Sequence, residues 1–314
     1  MLSGSKVLKQ FGFQTEEEPN SIYPFSPVYR VKKQDKEYIV KKTQKPIERA
    51  ERLIHYTKML KESGIAVVTP VHLQNENPQT IDEDVYIVYP FIDGKPYTGT
   101  EDEIFQAGKL LGEIHRVSPK ENNYQLPGYE VFDFTKEEVE ESVQKINTVA
   151  NKVNVTIDHE KLKEKLLTIV AQQEELKEGN LSYIATPHDF KANNLIYNDT
   201  PYLIDPDNAS WVPKIFDLAL VLLLFHNEHS TAPDVIFTPR QWGTFLSGYE
   251  VSSSLTETDK ANWTKALEHV FLDEVMWLLA ECEEDWFNPA QVTLFSSLLE
   301  LLFDTSAYPL TISS

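Results

Sequence analysis

At 314 residues, with 41% hydrophobic side chains, the chain is long enough for one large domain or a two-lobed fold with a substantial core. Its formal charge of −20 excludes a general nucleic-acid or anionic-membrane binder, because no basic excess is left to neutralise phosphates. The single cysteine, Cys282, excludes an intramolecular disulfide and a cysteine-based zinc site. Acidity serves solubility and would also suit a cationic small molecule. Met1 to Lys6 lacks the apolar core of a signal peptide, and the longest apolar run, Leu218 to Phe225, is too short to cross a bilayer, so a cytoplasmic protein is expected.

In chain order, a short helix is expected over Val7 to Phe13, then a polar loop. Val28-Tyr29-Arg30-Val31 and Tyr38-Ile39-Val40-Lys41, separated by a polar turn, read as a β-hairpin. Pro46 opens a helix that Gly64 ends, with Ala50, Leu53, Ile54, Met59 and Leu60 on its apolar face. Val67 to Val71 looks like a strand, Gln74 to Asp84 like a polar insertion, and Val85 to Tyr89 like a buried strand stopped by Pro90. After a break at Asp93-Gly94-Lys95-Pro96 the chain turns mostly helical. Ile104 to Ile114 recur at helical spacing and lead to His115, Thr135 and Glu138 form a capping box, and a further helix is entered at Asp158 and stops around Gly179. Later helices are expected over Ile215 to His226, Pro239 to Tyr249, Thr258 to Trp286 and Asn288 to Phe303.

Between these helices lies the stretch richest in chemistry, Thr186 to Ala209. It reads as a loop, a strand, a turn and a strand, with Asp189 and Asn194 before the first strand and Asp205 after the second. Phosphoryl transfer needs one carboxylate to receive the proton of an attacking hydroxyl, and an amide with a second carboxylate to hold magnesium on the phosphates. An Asp with an Asn five residues later is common in turns, and it is the nearby Ile204-Asp205 that adds weight. A Walker loop, a Rossmann fingerprint and a serine nucleophile elbow are absent.

These residues resemble the aminoglycoside phosphotransferase and choline kinase family. Its pattern is His-Gly-Asp, four residues, Asn-hydrophobic, then hydrophobic-Ile-Asp-Trp-acid. Here the chain reads Pro187-His188-Asp189, Phe190 to Asn193, Asn194-Leu195, then Leu203-Ile204-Asp205-Pro206-Asp207. Asp217-Leu218-Ala219 resembles the Asp-Leu-Ala that braces the catalytic loop. The resemblance implies an α+β, bilobal protein-kinase-like fold, with a small β-rich N-lobe over 1–92 and a larger, mainly helical C-lobe over 93–314. It implies Asp189 as catalytic base and Asn194 and Asp205 as magnesium ligands. Lys41 would hold the nucleotide phosphates, with Glu51 as its helix partner and Glu48 as the rival. Pro90 and Ile92 would meet adenine, and Lys191, where protein kinases have lysine, could neutralise the γ-phosphate.

The implied cofactors are ATP, with GTP as the alternative, and Mg2+. The implied reaction is transfer of the γ-phosphate to a hydroxyl of a small molecule, cationic or neutral, such as an aminoglycoside-like antibiotic or an amino alcohol. Two departures stand out. His188 precedes Asp189 directly where the family's histidine usually sits two places before, and no glycine lies between Asn20 and Tyr29, where Ser26 could stand in for a phosphate loop. A weak or inactive kinase-fold protein is the alternative, and a hydrolase or metal-binding protein using the same aspartates is a second. Glu281, Glu283, Glu284 and Asp285 beside Trp277 and Trp286 form either an acceptor pocket for an amine or a solvated helix face. His226 and His229 read as ordinary helix-end histidines rather than a metal pair.

Overall fold

The computed structural model describes residues 3–23, 26–229 and 233–310. Helix α1 (Gly4–Gln10) precedes strands β1 (Val28–Lys33) and β2 (Lys36–Thr43), which pair antiparallel across a turn where Gln34 adopts φ 56°. Pro46 caps α2 (Ile47–Glu62), and Gly64, at φ 84°, follows its end, the left-handed conformation that glycine adopts without steric cost. Strands β3 (Gln79–Ile81) and β4 (Asp84–Pro90) complete a four-stranded sheet of order β1-β2-β4-β3. The expected polar insertion thus contains a strand, folded back on β4 by a turn at Asp82 and Glu83, both at positive φ.

Strand alternation sorts the sheet into two faces. Val40, Tyr86 and Val88 pack with α1 residues Val7 and Leu8, whereas Val85, Ile87 and Tyr89 pack with Ala50 of α2 and Val68. Lys41, one residue past Val40, falls on the second face. The segment 66–71 forms no strand of its own. Instead Val68 N–H donates to Leu203 O (2.9 Å) and Val71 N–H to Val88 O (2.9 Å), so it joins the sheet to a hairpin far along the chain.

Beyond Gly94 the chain adds β5 (Lys95–Pro96), then α3 (Glu101–Val117) and α4 (Lys136–Lys152), each opened by a full capping box at Thr100 and Thr135. Helix α5 (His159–Val170) begins at Asp158 as expected, but the helix does not run on; a separate α6 (Gln173–Lys177) follows. Four short strands come next: β6 (Tyr183–Thr186), β7 (Leu195–Asn198), β8 (Thr200–Leu203) and β9 (Ser210–Pro213). β7 and β8 form the expected hairpin, while β6 pairs with β9 and so closes the loop around the chemistry-bearing stretch. Helices α7 (Lys214–Leu224) and α8 (Pro239–Glu250) follow.

The single long helix expected over Thr258 to Trp286 is broken. It consists of α9 (Glu257–Ala261), α10 (Trp263–Val270), a π-helical turn over Phe271–Val275, and α11 (Met276–Glu281), before α12 (Pro289–Phe303). Helices α3 and α8 cross at near backbone contact. A Cβ on Gly108 would lie 2.0 Å from Phe245 O, and one on Gly248 2.0 Å from Phe105 O. Most of the buried apolar side chains of this second part belong to one continuous core. No helix among the described residues is long and apolar enough to cross a membrane.

Candidate active site

The loop from Thr186 to Asn194 is held from behind by one buried carboxylate. Asp217, in the first turn of α7, is fully buried and accepts from Thr186 Oγ1 (3.1 Å) while facing His188 Nδ1 (3.2 Å) and His115 Nε2 (2.8 Å). Tyr249 of α8 completes the set, its hydroxyl 2.9 Å from His115 Nδ1. Burial alone would raise the Asp217 pKa, but hydrogen bonds from His115 and His188 outweigh it and hold the carboxyl well below the usual range. Burial lowers His115 below its ordinary value. His188 ends above its own, because Asp217, Glu274 and Asp189 together outweigh its burial.

His188 and Asp189 both sit in the left-handed region, at φ 53° and 50°. The first of them occupies the glycine place of the His-Gly-Asp pattern, where positive φ is expected. A histidine can hold that conformation at modest cost, and here its ring reaches the same brace. The loop is also pinned at its far end, where Ala192 N–H donates to Phe225 O (2.9 Å) and Phe190 is buried.

This frame brings the predicted residues together. Asn194 Nδ2 donates to the Asp189 carbonyl (2.8 Å) and lies 3.5 Å from its carboxylate. Ile204 N–H donates to Asn194 O (2.9 Å), so the end of β8 places Asp205 beside Asn194. From the sheet, Lys41 Nζ reaches Asp205 Oδ2 (2.6 Å) and Asp207 Oδ2 (3.1 Å). Lys191 Nζ lies 3.4 Å from Asp189 and 3.5 Å from Glu228. Burial works against the charge on Lys41, yet Asp207 and Asp205 raise its pKa, and Asp189 and Glu228 do the same for Lys191.

The Glu51 expectation needs correction. Lys41 is paired with Asp205 and Asp207, and both Glu51 and Glu48 are exposed. The reason is the set of α2: Ala50, Leu53, Tyr56, Thr57 and Leu60 are its buried positions, and at about 100° per residue Glu51 falls on the opposite side. The residue that sequence reasoning left without a role is Asp207. It is buried, accepts from Tyr89 Oη (2.8 Å), and is pushed up by burial against the pull of Lys41. Its place as the acid of the Ile-Asp-Trp-acid pattern was the available signal.

Ile92 lies with Ile39, Tyr202 and Ile204 among half-buried apolar side chains against the face that carries Lys41. The Pro90 ring falls on the other face and lines a separate cavity with Tyr38 and Thr69. A cavity of about 560 Å³ opens beside Asp189 and is lined by Lys45, Arg49, Lys191, Glu228, Glu274 and Trp277 among others. The acidic cluster of the sequence reading is elsewhere. Glu281 pairs with Lys145 (2.9 Å), Glu283 with Lys152 (2.7 Å), and Trp286 is buried, so these residues knit α11 and its following turn to α4. Of that reading, Trp277 does line the cavity, where Glu274, from the π-helical turn, and Glu228 supply carboxylates. His226 is a core histidine, hydrogen-bonded to Tyr97 Oη (2.9 Å) and Val235 O (2.8 Å), and burial lowers its pKa to about 4.

Magnesium suits the donor set present. Asn194 commits its amide N–H to Asp189 while its Oδ1 makes no hydrogen bond among the described residues, and Asp205 adds a carboxylate in reach of the same space. Such a pair is a typical protein share of a magnesium site whose other ligands are phosphate and water. Among the described residues no cluster of three or more His, Cys, Asp or Glu could hold a metal on its own.

No curated protein matches the chain significantly. Among solved structures it is similar to a spectinomycin phosphotransferase in complex with ADP and spectinomycin, at 16% identity and TM-score 0.62 over 98% of this chain and 99% of that one. It is also similar to a microcompartment-associated aminopropanol kinase, at 13% identity and TM-score 0.67 over 98% and 99% of the two chains. The choline kinase LicA from Streptococcus pneumoniae gives 16% identity and TM-score 0.55 over 95% and 97%. At such identities the likeness is one of fold, and that fold is the bilobal, protein-kinase-like one. The profile of the phosphotransferase enzyme family matches residues 25–252, well over half of the sequence, and the chain belongs to that family.

Proposed function

We propose that the chain transfers the γ-phosphoryl group of ATP to a hydroxyl of a small molecule. The observation that carries this reading is the convergence of Lys41, Asp189, Asn194 and Asp205, from a sheet, a loop and a hairpin, on one cleft. Residues 1–92 would form the nucleotide lobe and 93–314 the acceptor lobe. Lys41, oriented by Asp205 and Asp207, positions the nucleotide phosphates. Asn194 and Asp205 would hold Mg2+, which when bound neutralises charge on the phosphate oxygens.

Asp189 orients the acceptor hydroxyl and takes its proton at a carboxylate oxygen as the O–P bond forms. Lys191, two residues on, lies where it can meet negative charge on the transferred group. Ile39, Ile92, Tyr202 and Ile204 supply an apolar slot for the adenine ring, whose edge would meet the backbone at Pro90 and Ile92. Replacing Asp189 with Ala is expected to cut ADP release in the presence of acceptor by about 10²–10⁴-fold. ATP affinity should stay nearly unchanged by calorimetry. Turnover that survives the substitution would remove Asp189 from the role of base.

A further inference from the structure

The cavity beside Asp189 carries two cations that the phosphoryl-transfer machinery does not use. Lys45 and Arg49 line it from the start of α2, both half-buried, and neither has a carboxylate within ion-pair distance among the described residues. Lys191, which lines the same cavity, has two acidic partners. Desolvation lowers both pKa values, and at Lys45 the nearby charge of Arg49 lowers it further, against a smaller upward pull from Asp207 and Asp205. Two neighbouring, half-buried cations without an ion-pair partner among the described residues cost free energy that a bound anion offsets.

The remaining walls of the cavity have the opposite character. Glu274 and Trp277 face it from the π-helical turn and α11, and Trp277 is 57% exposed, an open aromatic surface beside a carboxylate. That pairing recognises an ammonium group. Leu220, Leu224 and Leu278 supply apolar contact. Lys41, Asn194 and Asp205 do not line this cavity, whereas Asp189 does. The two cations therefore open onto the same cavity as the base, and Lys45 also feels the charges of Asp207 and Asp205.

We propose that Lys45 and Arg49 form an anion subsite for the acceptor, and that the molecule phosphorylated is a small hydroxyl-bearing zwitterion. Its carboxylate meets Arg49 and Lys45, its ammonium group meets Glu274 and Trp277, and its hydroxyl meets Asp189. Arg49 offers the planar donor fork that matches a carboxylate, with Lys45 as a second point charge. This inference rests on the kinase reading of the cleft and specifies what that cleft accepts.

The test uses the full chain, ATP with Mg2+, and pairs of acceptors that differ only in a carboxylate: L-homoserine against 3-aminopropan-1-ol, and L-serine against ethanolamine. In at least one pair the carboxylate-bearing member should have the higher kcat/KM by about ten-fold or more. Arg49→Ala should bring that ratio near one with the KM for ATP little changed, and Arg49→Lys should retain part of it. Preference for the carboxylate-free member in both pairs, or no turnover of either carboxylate-bearing compound, overturns the proposal. So does an Arg49→Ala variant that raises the KM for ATP and leaves the acceptor ratio intact, which would assign the pair to the nucleotide. Calorimetry of ATP and Mg2+ on the same preparation separates the two levels. Binding without carboxylate preference removes only the subsite, and no binding removes the kinase reading with it.

Discussion

Asp217 shows how a single residue can set a catalytic loop. Its carboxylate is fully buried and satisfied by Thr186, His188 and His115, so it fixes the loop's path without touching the cleft itself. Asp217→Asn removes the charge and puts an amide NH2, a donor, in place of one of the two oxygens that face the histidines and the Thr186 hydroxyl. Asp217→Asn is expected to cost about 3–5 kcal/mol in urea unfolding. The pH dependence has a definite sign. The Asp217 pKa is lowered by folding, so its contribution is present above about pH 4 and is lost as the pH falls. That of His188 is raised, so its contribution is complete below about pH 6.5 and is lost as the pH rises through its folded value. The wild-type advantage over Asp217→Asn should therefore be largest between those limits and shrink on either side. A difference independent of pH would mean that the brace is packing rather than charge. Asp189, Asn194 and Asp205 could be read from sequence because they lie within one short stretch and its local turn chemistry. Asp207 as the partner of Lys41, and His115 as the second arm of the brace, could not, because each is 100 or more residues from the group it meets.

Among elements, the crossing of α3 and α8 determines whether His115 and Tyr249 can meet at all. Gly108, Gly112 and Gly248 let the two backbones touch, and a methyl group on any of them would run into the carbonyl of the facing helix. Gly248→Ala should destabilise the protein by about 1–3 kcal/mol through overpacking, although alanine favours helix formation in isolation. A midpoint shift in urea reads this directly, and an unchanged or higher midpoint would show that the crossing has room to open. Periodicity in the sequence located α2, α3, α4, α7, α8 and α12 to within a few residues, because each has a one-sided or wholly apolar pattern and several have explicit caps. It did not settle whether α2 turns Glu51 or Glu48 toward Lys41, and both are exposed. Arg49 and Glu51 lie two residues apart, about 200° round the helix, so the face that buries Ala50 and Leu53 turns Glu51 to solvent and leaves Arg49 half-buried. Nor did it give the interruption at Phe271–Val275, since a π-helical turn keeps an apolar sequence looking helical while it redirects Asp273 and Glu274. Strands β3, β5, β6 and β9, of two to four residues each, are too short for alternation to register.

On the scale of the whole molecule, the first part is joined to the helical part by packing, with Leu53, Tyr56 and Leu60 of α2 in the main core and Ile87 and Tyr89 against Tyr202 and Ile204, and by polar links. Backbone hydrogen bonds join 66–68 to β8, and the Lys41 pairing with Asp205 and Asp207 spans the cleft directly above that seam. The strongly acidic composition bears on the central question only indirectly, because the cleft has its own charge pattern: ion pairs at Lys41 and Lys191, and cations at Lys45 and Arg49 without an ion-pair partner among the described residues. Fold and reaction class follow from this arrangement together with the family match, while the acceptor is decided by side chains from separated elements. The central claim, that the cleft is a nucleotide and magnesium site, is tested most directly by calorimetric titration of ATP with and without Mg2+, on the wild type and on Asp205→Ala. The account predicts Mg2+-dependent binding by the wild type that the substitution weakens at least about ten-fold. Equal binding with and without Mg2+, or an Asp205→Ala variant that binds as the wild type does, would contradict it.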